Sequence, residues 1–369
     1  MTLLTLNRVF SMRVRVTNWR CIKDVELELS KLNVFVGRNS TGKSSLAYAI
    51  YFASKSSEQR PLTPGSLLMH LYGYGFNYVA RIVDGKPQFP ISIRIGDYEL
   101  MVRPRESKQA EHAEFEIIRP PRSPWADEYL LPSRRIDYIH ILMFLPKITR
   151  TIAKGTAGPR ALTGSLGGLV SMLSGLFEVF KELPVIPPFG TFAMDLTRAL
   201  GVPIEPISRE VYDVGSFTVS IPYVVQLIDV TFKDPFTKLM LPLELSPDGI
   251  VDLSVFAIMT ERIPNRSLVV IEEPEIHKNP VMIMDFTKQI ARRALDKDFT
   301  VIMTTHSDII PLTLAKLVGD GVLRIEDLKI YYLRRSAEDP WTNLSDIKVY
   351  EDGTVEGFPD AEEVVSHLF

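Results

Sequence analysis

The stretch Gly37-Arg38-Asn39-Ser40-Thr41-Gly42-Lys43-Ser44 decides the fold. It satisfies the pattern G-x-x-x-x-G-K-[ST] in full, and its flanks supply the context such a loop requires. LNVFV (residues 32–36) reads as a buried strand, and SSLAYAIYFASK (residues 44–55) reads as a helix. Glycines at both ends let the backbone wrap, so that successive N–H groups face phosphate oxygens at a helix N-terminus. In that reading Lys43 reaches the β- and γ-phosphates and the Ser44 hydroxyl meets Mg²⁺, with Ser45 beside it. A glycine-rich turn matching by chance is the bland alternative, and the strand–loop–helix context makes it a minor one.

Two further runs, 13–16 and 25–29, read as strands before the loop. Order of the same kind returns late in the chain. Residues 251–262 read as a helix, 267–271 as a buried strand, 281–294 as a helix and 299–304 as a second buried strand. Apolar strands alternating with helices predict an α/β fold with a largely parallel central sheet.

Two clusters at the ends of those strands carry chemistry. SLVVIEEPEIHKNP brings Glu272 and Glu273 to the end of a four-residue apolar run. Paired with a phosphate loop, one carboxylate is expected to hold Mg²⁺ through water and its neighbour to orient or deprotonate an attacking water. TVIMTTHSD places His306 directly after a strand, where an imidazole at the carboxyl edge of a parallel sheet faces the ligand crevice.

Composition bounds the rest. With 369 residues and 46% hydrophobic content the chain buries a large core, and a formal net charge of −3 gives no overall pull on nucleic acid. Cys21 is the single cysteine, so no disulfide framework or cysteine-rich zinc site forms within one chain. No secretory leader is read at the start, and the most apolar segment, 165–177, is too short and glycine-interrupted to span a bilayer. A soluble, cytoplasmic protein without a membrane partner is the expectation.

Three parts are expected: residues 1–55 and 241–369 as halves of one core, and 56–240 as an inserted accessory lobe. The insert is rich in proline and holds no sustained heptad, so no coiled-coil arm is expected. ISIRIGDYELMV and EFEII read as antiparallel strands, and residues 162–183 as helical. Between 119 and 160, eight Lys/Arg face three acids, with Trp125, Tyr129 and Tyr138 interleaved. That pattern suits a single-stranded DNA surface, although a solvated face or intramolecular salt bridges are the more frequent explanation.

Together these motifs resemble the ABC-type ATPase heads of the SMC/RecF/OLD-like class, in its branch of stand-alone "AAA family" ATPases. The opening, residues 12–46, is similar to that class's start; IEEPEIHKNP resembles its Walker B and D-loop, and TTHSD its switch histidine. LPSRR (residues 131–135) is similar to a step before the class's helical lobe, with FLPKITR as a second candidate. The resemblance implies ATP and Mg²⁺ as cofactors, and Glu273, His306 and Lys43 as catalytic groups. It also implies Ser44 and Glu272 at the metal, and Arg20 at the adenine or ribose. Two heads usually sandwich ATP, which implies a homodimer in the ATP-bound state. Ser246 and Gly249 of LELSPDGIVDL would then complete the partner's site, although Pro247 and Asp248 depart from the usual small residues. The zinc-hook and Toprim-bearing relatives are excluded by the missing Cys-x-x-Cys and by the lack of an acidic cluster after His306. The implied setting is DNA maintenance or defence against mobile elements. The alternatives are a regulatory ATPase that holds a separate effector protein and a slow-hydrolysing nucleotide-binding scaffold.

Overall fold

The computed structural model describes residues 11–105, 114–139, 188–199, 213–214, 217–218, 231–233, 239–242 and 246–357. The helix expected over 162–183 and the FLPKITR step lie outside them. The chain forms two compact units: residues 1–69, 74–133 and 264–369 make the first, and 70–73 with 134–263 the second.

The first unit opens with β1 (Met12–Trp19), β2 (Ile22–Leu29) and β3 (Leu32–Val36), followed by helix α1 (Lys43–Lys55). After α2 (Pro64–Tyr72) and α3 (Phe76–Val79) come β4 (Arg81–Val83), β5 (Lys86–Gln88), β6 (Ile91–Ile95), β7 (Tyr98–Pro104), β8 (Phe115–Ile118) and β9 (Glu128–Leu131). The second unit holds α4 (Phe189–Ala199), the short strand pairs β10 (Asp213–Val214) with β11 (Phe217–Thr218) and β12 (Thr231–Lys233) with β13 (Met240–Pro242), and helix α5 (Asp248–Arg262). The first unit then resumes with β14 (Leu268–Glu272), α6 (Pro280–Asp296), β15 (Thr300–Thr305), α7 (Ile309–Gly319), β16 (Leu328–Arg334) and β17 (Asn343–Ile347).

Two sheets organise the first unit. One has the order β17-β16-β3-β15-β14-β9, parallel throughout except for the antiparallel edge strand β17. The other, β2-β1-β6-β7-β8, is antiparallel. Their burial patterns differ as their chemistry requires. Every residue of β3, β14 and β15 is buried, because both faces of the parallel sheet are covered, whereas β2 alternates between buried and exposed. Helix α1 packs on β9, β14 and β15 of one sheet and on β1 and β6 of the other. That position explains a helix that is apolar nearly all round, buried continuously from Leu46 to Lys55.

Register brings the chemistry to one edge. Thr305 lies opposite Val36 and Glu272 opposite Thr304, so β3, β15 and β14 end level. The loops that follow them emerge side by side at the carboxyl end of the sheet, where ligands bind in open α/β folds.

In the second unit, α4 packs on α5, and Phe192, Leu196, Val251 and Val255 of these helices are buried. Helix α5 begins at Asp248, three residues earlier than the apolar pattern suggests, with Pro247 at its cap and an acid in its first turn. Arg135 of the LPSRR stretch forms a two-pronged ion pair with Asp252 of this helix, at 2.6 and 2.8 Å, and both side chains are about 1% exposed. Removing one partner of a buried pair costs about 3–5 kcal/mol. Arg135→Ala is therefore expected to lower stability by that order in denaturant melts, and Arg135→Met with Asp252→Leu to recover most of it.

Candidate functional site

The phosphate-loop residues adopt the conformation their composition anticipates. Gly37 has φ 144° and Gly42 φ 105°, and Ser40 is also left-handed at 64°. A side chain on Gly37 would collide with the Leu333 carbonyl, and one on Gly42 with the Thr342 hydroxyl and Cys21 sulfur. Lys43 is buried, and its ammonium donates to the carbonyls of Gly37 at 2.6 Å and Arg38 at 2.8 Å. Thr41 donates its hydroxyl back to Arg38 across the loop, at 2.9 Å.

The two acids after β14 sit in different surroundings. Glu272 is buried and accepts from the Tyr48 hydroxyl at 2.5 Å and the Ser133 N–H at 3.2 Å. Glu273 turns out of the strand with φ 44°, and its N–H donates to the Thr304 carbonyl at 2.8 Å. Burial, with the neighbouring Glu272 charge, pushes the Glu273 carboxyl above the ordinary glutamate range, while His306 and Lys43 oppose the shift.

His306 connects the acid to the lysine. Its Nδ1 lies 3.4 Å from the Lys43 ammonium and its Nε2 3.5 Å from a Glu273 oxygen. A neutral ring accepting at Nδ1 carries its proton on Nε2, facing the carboxylate. Three groups widely spaced in sequence thus converge within one cleft of about 520 Å³, lined also by Arg20, Cys21, residues 39–45, Tyr78, Ile82, Arg335 and Trp341. The cleft brings together Lys43, Ser44, Ser45, Glu273, His306 and Arg20. Ser246 and Gly249 lie in the second unit, before and within the first turn of α5.

Several side chains that shape the site escaped the sequence reading. Glu275 accepts from the His306 N–H at 2.8 Å and the Thr305 hydroxyl at 2.9 Å, which holds the histidine's backbone in place. Arg335 donates to the Ser40 carbonyl at 2.7 Å, and Thr342 to the Thr41 carbonyl at 2.9 Å. The segment after β16 thereby clamps the phosphate loop from outside. Tyr48, five residues after Lys43 on α1, donates its hydroxyl to Glu272 at 2.5 Å.

Of the basic stretch read between 119 and 160, the described residues show where the aromatic side chains and part of the charge lie. Trp125, Tyr129 and Tyr138 are all buried and offer no stacking face. Arg119 donates to the carbonyls of Ser56 and Ser57 at 2.7 and 2.6 Å, and Arg135 is held by Asp252. Lys147, Arg150, Lys154 and Arg160 lie outside the described residues.

Residues 12–118, covering the opening strands and the phosphate loop, match the family model of the AAA ATPase domain. This opening part of the chain is similar to that ATPase domain. The match falls on the opening strands and phosphate loop that carry part of the resemblance read from the motifs. No curated protein matches the sequence. Among solved structures the chain is similar to the SMC head domain from Thermotoga maritima, at 11% identity, TM-score 0.44, covering 91% of this chain and 98% of that one. It is also similar to an SmcHead bound to the C-winged helix domain of ScpA, at 14% identity, TM-score 0.47 and the same coverage. A third is a Pyrococcus furiosus Smc head domain with an extended coiled coil, bound to the C-terminal domain of ScpA, at 12% identity, TM-score 0.41, covering 96% and 98%. Among the described residues no helix is long and apolar enough to cross a membrane.

Proposed function

We propose that the ATPase domain hydrolyses ATP in this cleft with Glu273 as the general base, in a cycle that joins two copies of the chain. The observation that carries the reading is the line Lys43–His306–Glu273, with contacts of 3.4 and 3.5 Å beside the phosphate loop. In this reading the N–H groups of residues 37–45 cradle the phosphates, and Lys43 exchanges its loop carbonyls for β- and γ-phosphate oxygens. Water oxygen attacks the γ-phosphorus, the bond to the β–γ bridging oxygen breaks, and ADP leaves with that electron pair. The water's proton passes to Glu273, whose raised proton affinity suits it to accept. His306 orients the water and the γ-phosphate through its Nε2 proton.

The oxygen donors Ser44 and Glu272 fit a hard, largely hydrated cation. Mg²⁺ held there would neutralise charge developing on the phosphoryl oxygens. The wider setting, DNA maintenance or defence against mobile elements, is proposed on the motif resemblance alone.

Ser246 and Gly249 are proposed to reach the γ-phosphate bound by the partner copy. Light scattering tests this. Glu273→Gln with ATP is expected to run as a dimer, and the nucleotide-free chain as a monomer. Adding Ser246→Arg should return the monomer mass without loss of ATP binding. A mass indifferent to nucleotide and to Ser246 would defeat the sandwich and leave the phosphate loop's role intact.

A further inference from the structure

The cleft is lined by two kinds of side chain. Residues 39–45, Glu273 and His306 present polar groups, while Tyr78, Ile82 and Trp341 contribute apolar surface. Tyr78 is 73% exposed and Ile82 44%, unusual for large apolar side chains on the wall of a concave site. Hydrolysis makes no use of them.

That wall is fixed from several directions. Ala80 bridges to Trp19, and the Arg20 N–H donates to the Val79 carbonyl at 2.6 Å. Both contacts tie the residues following Tyr78 to the turn between β1 and β2. The Thr342 N–H donates to the Cys21 carbonyl at 2.9 Å, which ties the neighbour of Trp341 to the same turn. The Arg81 guanidinium lies 4.7 Å from the Trp341 ring centroid and donates to the Asn18 side chain at 2.9 Å. The Tyr74 ring backs Tyr78, with centroids 5.1 Å apart. Two aromatic rings from distant parts of the chain are thus anchored on one turn, beside a phosphate loop that the Thr342 hydroxyl also holds.

We infer that Tyr78 and Trp341, with Ile82 beside them in the lining, form the nucleobase subsite and hold a purine by stacking. The inference rests on the nucleotide reading above and adds a platform that Arg20 alone does not supply. Stacking reads the area of the π-face, which every base presents and which is larger in purines. The chain is therefore a purine nucleotide binder that takes ATP and GTP in preference to CTP and UTP.

Titration calorimetry on the full chain separates this subsite from the phosphate loop. The ligands are non-hydrolysable ATP and CTP analogues and inorganic tripolyphosphate, which carries phosphates without a base. The ATP analogue is expected to bind several-fold more tightly than the CTP analogue. Tyr78→Ala should weaken the ATP analogue about tenfold, the order of one lost base–aromatic stack. It should leave tripolyphosphate unchanged, and Tyr78→Phe, which keeps the ring, should bind as the unmodified chain does. Tyr78→Ala and Trp341→Ala variants that bind the ATP analogue normally would overturn the subsite. So would an equal loss of tripolyphosphate, which would mark a distortion of the loop instead. In either case Lys43→Ala, losing both ligands, would show the phosphate-loop reading to stand. Failure of the unmodified chain to bind either ligand would overturn both readings.

Discussion

Glu273→Gln is expected to bind ATP normally and to hydrolyse it at least about a hundredfold more slowly, within the range of about 10²–10⁴ for loss of a general base. The amide keeps the shape of the side chain and a hydrogen-bond acceptor for His306, yet it cannot take a proton. The position favours that role: Glu273 leaves the strand with φ 44°, lies 3.5 Å from His306 and holds its proton more tightly than an ordinary glutamate. Glu272 provides the internal control. Its carboxylate is buried and already engaged by Tyr48 and Ser133, so it is poorly placed to collect a proton from water. Glu272→Gln should instead raise the Mg²⁺ concentration needed for turnover. Rates measured across a Mg²⁺ series distinguish the two acids, and a purely catalytic defect in Glu272→Gln alone would reverse their roles.

Lys43→Ala is expected to weaken ATP binding by about a hundredfold or more. A hydrogen bond to a charged group contributes about 1.5–3 kcal/mol, and this ammonium is placed to make more than one to the β- and γ-phosphates. Its bonds to the Gly37 and Arg38 carbonyls already aim it at the mouth of the loop. Lys43→Met keeps the buried stem and should lose binding to a similar degree. That pairing separates lost charge from lost packing, with a thermal melt confirming that each variant folds. Unchanged calorimetric affinity in both would remove the lysine from the site.

Much of the polar lining of the cleft was legible in the sequence because its signals are local. A strand buried on both faces is written as an unbroken apolar run, and β3, β14 and β15 are such runs ending at the loop, the paired acids and the histidine. The pairing of residues 91–118 with the opening strands was not legible, since no local pattern specifies which distant strand becomes a neighbour. The clamp of Arg335 and Thr342 on the phosphate loop depends on the same long-range geometry.

The stretch around Trp125 left two explanations open, a solvated face or intramolecular salt bridges. Glu128 is fully buried and paired with Arg60 at 2.9 Å, and Tyr129 lies in a strand buried at every position. A paired charge inside a protein looks the same in sequence as one in water. Glu275 was hidden by its neighbours, because beside Glu272 and Glu273 a third acid carries no mark of its partner across the sheet, the His306 backbone.

The central claim is that this cleft cleaves ATP, and a single-turnover experiment with the chain in excess over γ-labelled ATP tests it most directly. The account predicts that inorganic phosphate is released when Mg²⁺ is present, is not released when the metal is chelated, and is released at least a hundredfold more slowly by Glu273→Gln. Bound ATP that stays intact in the unmodified chain with Mg²⁺, or phosphate release at the same rate in Glu273→Gln and Lys43→Ala, would contradict it.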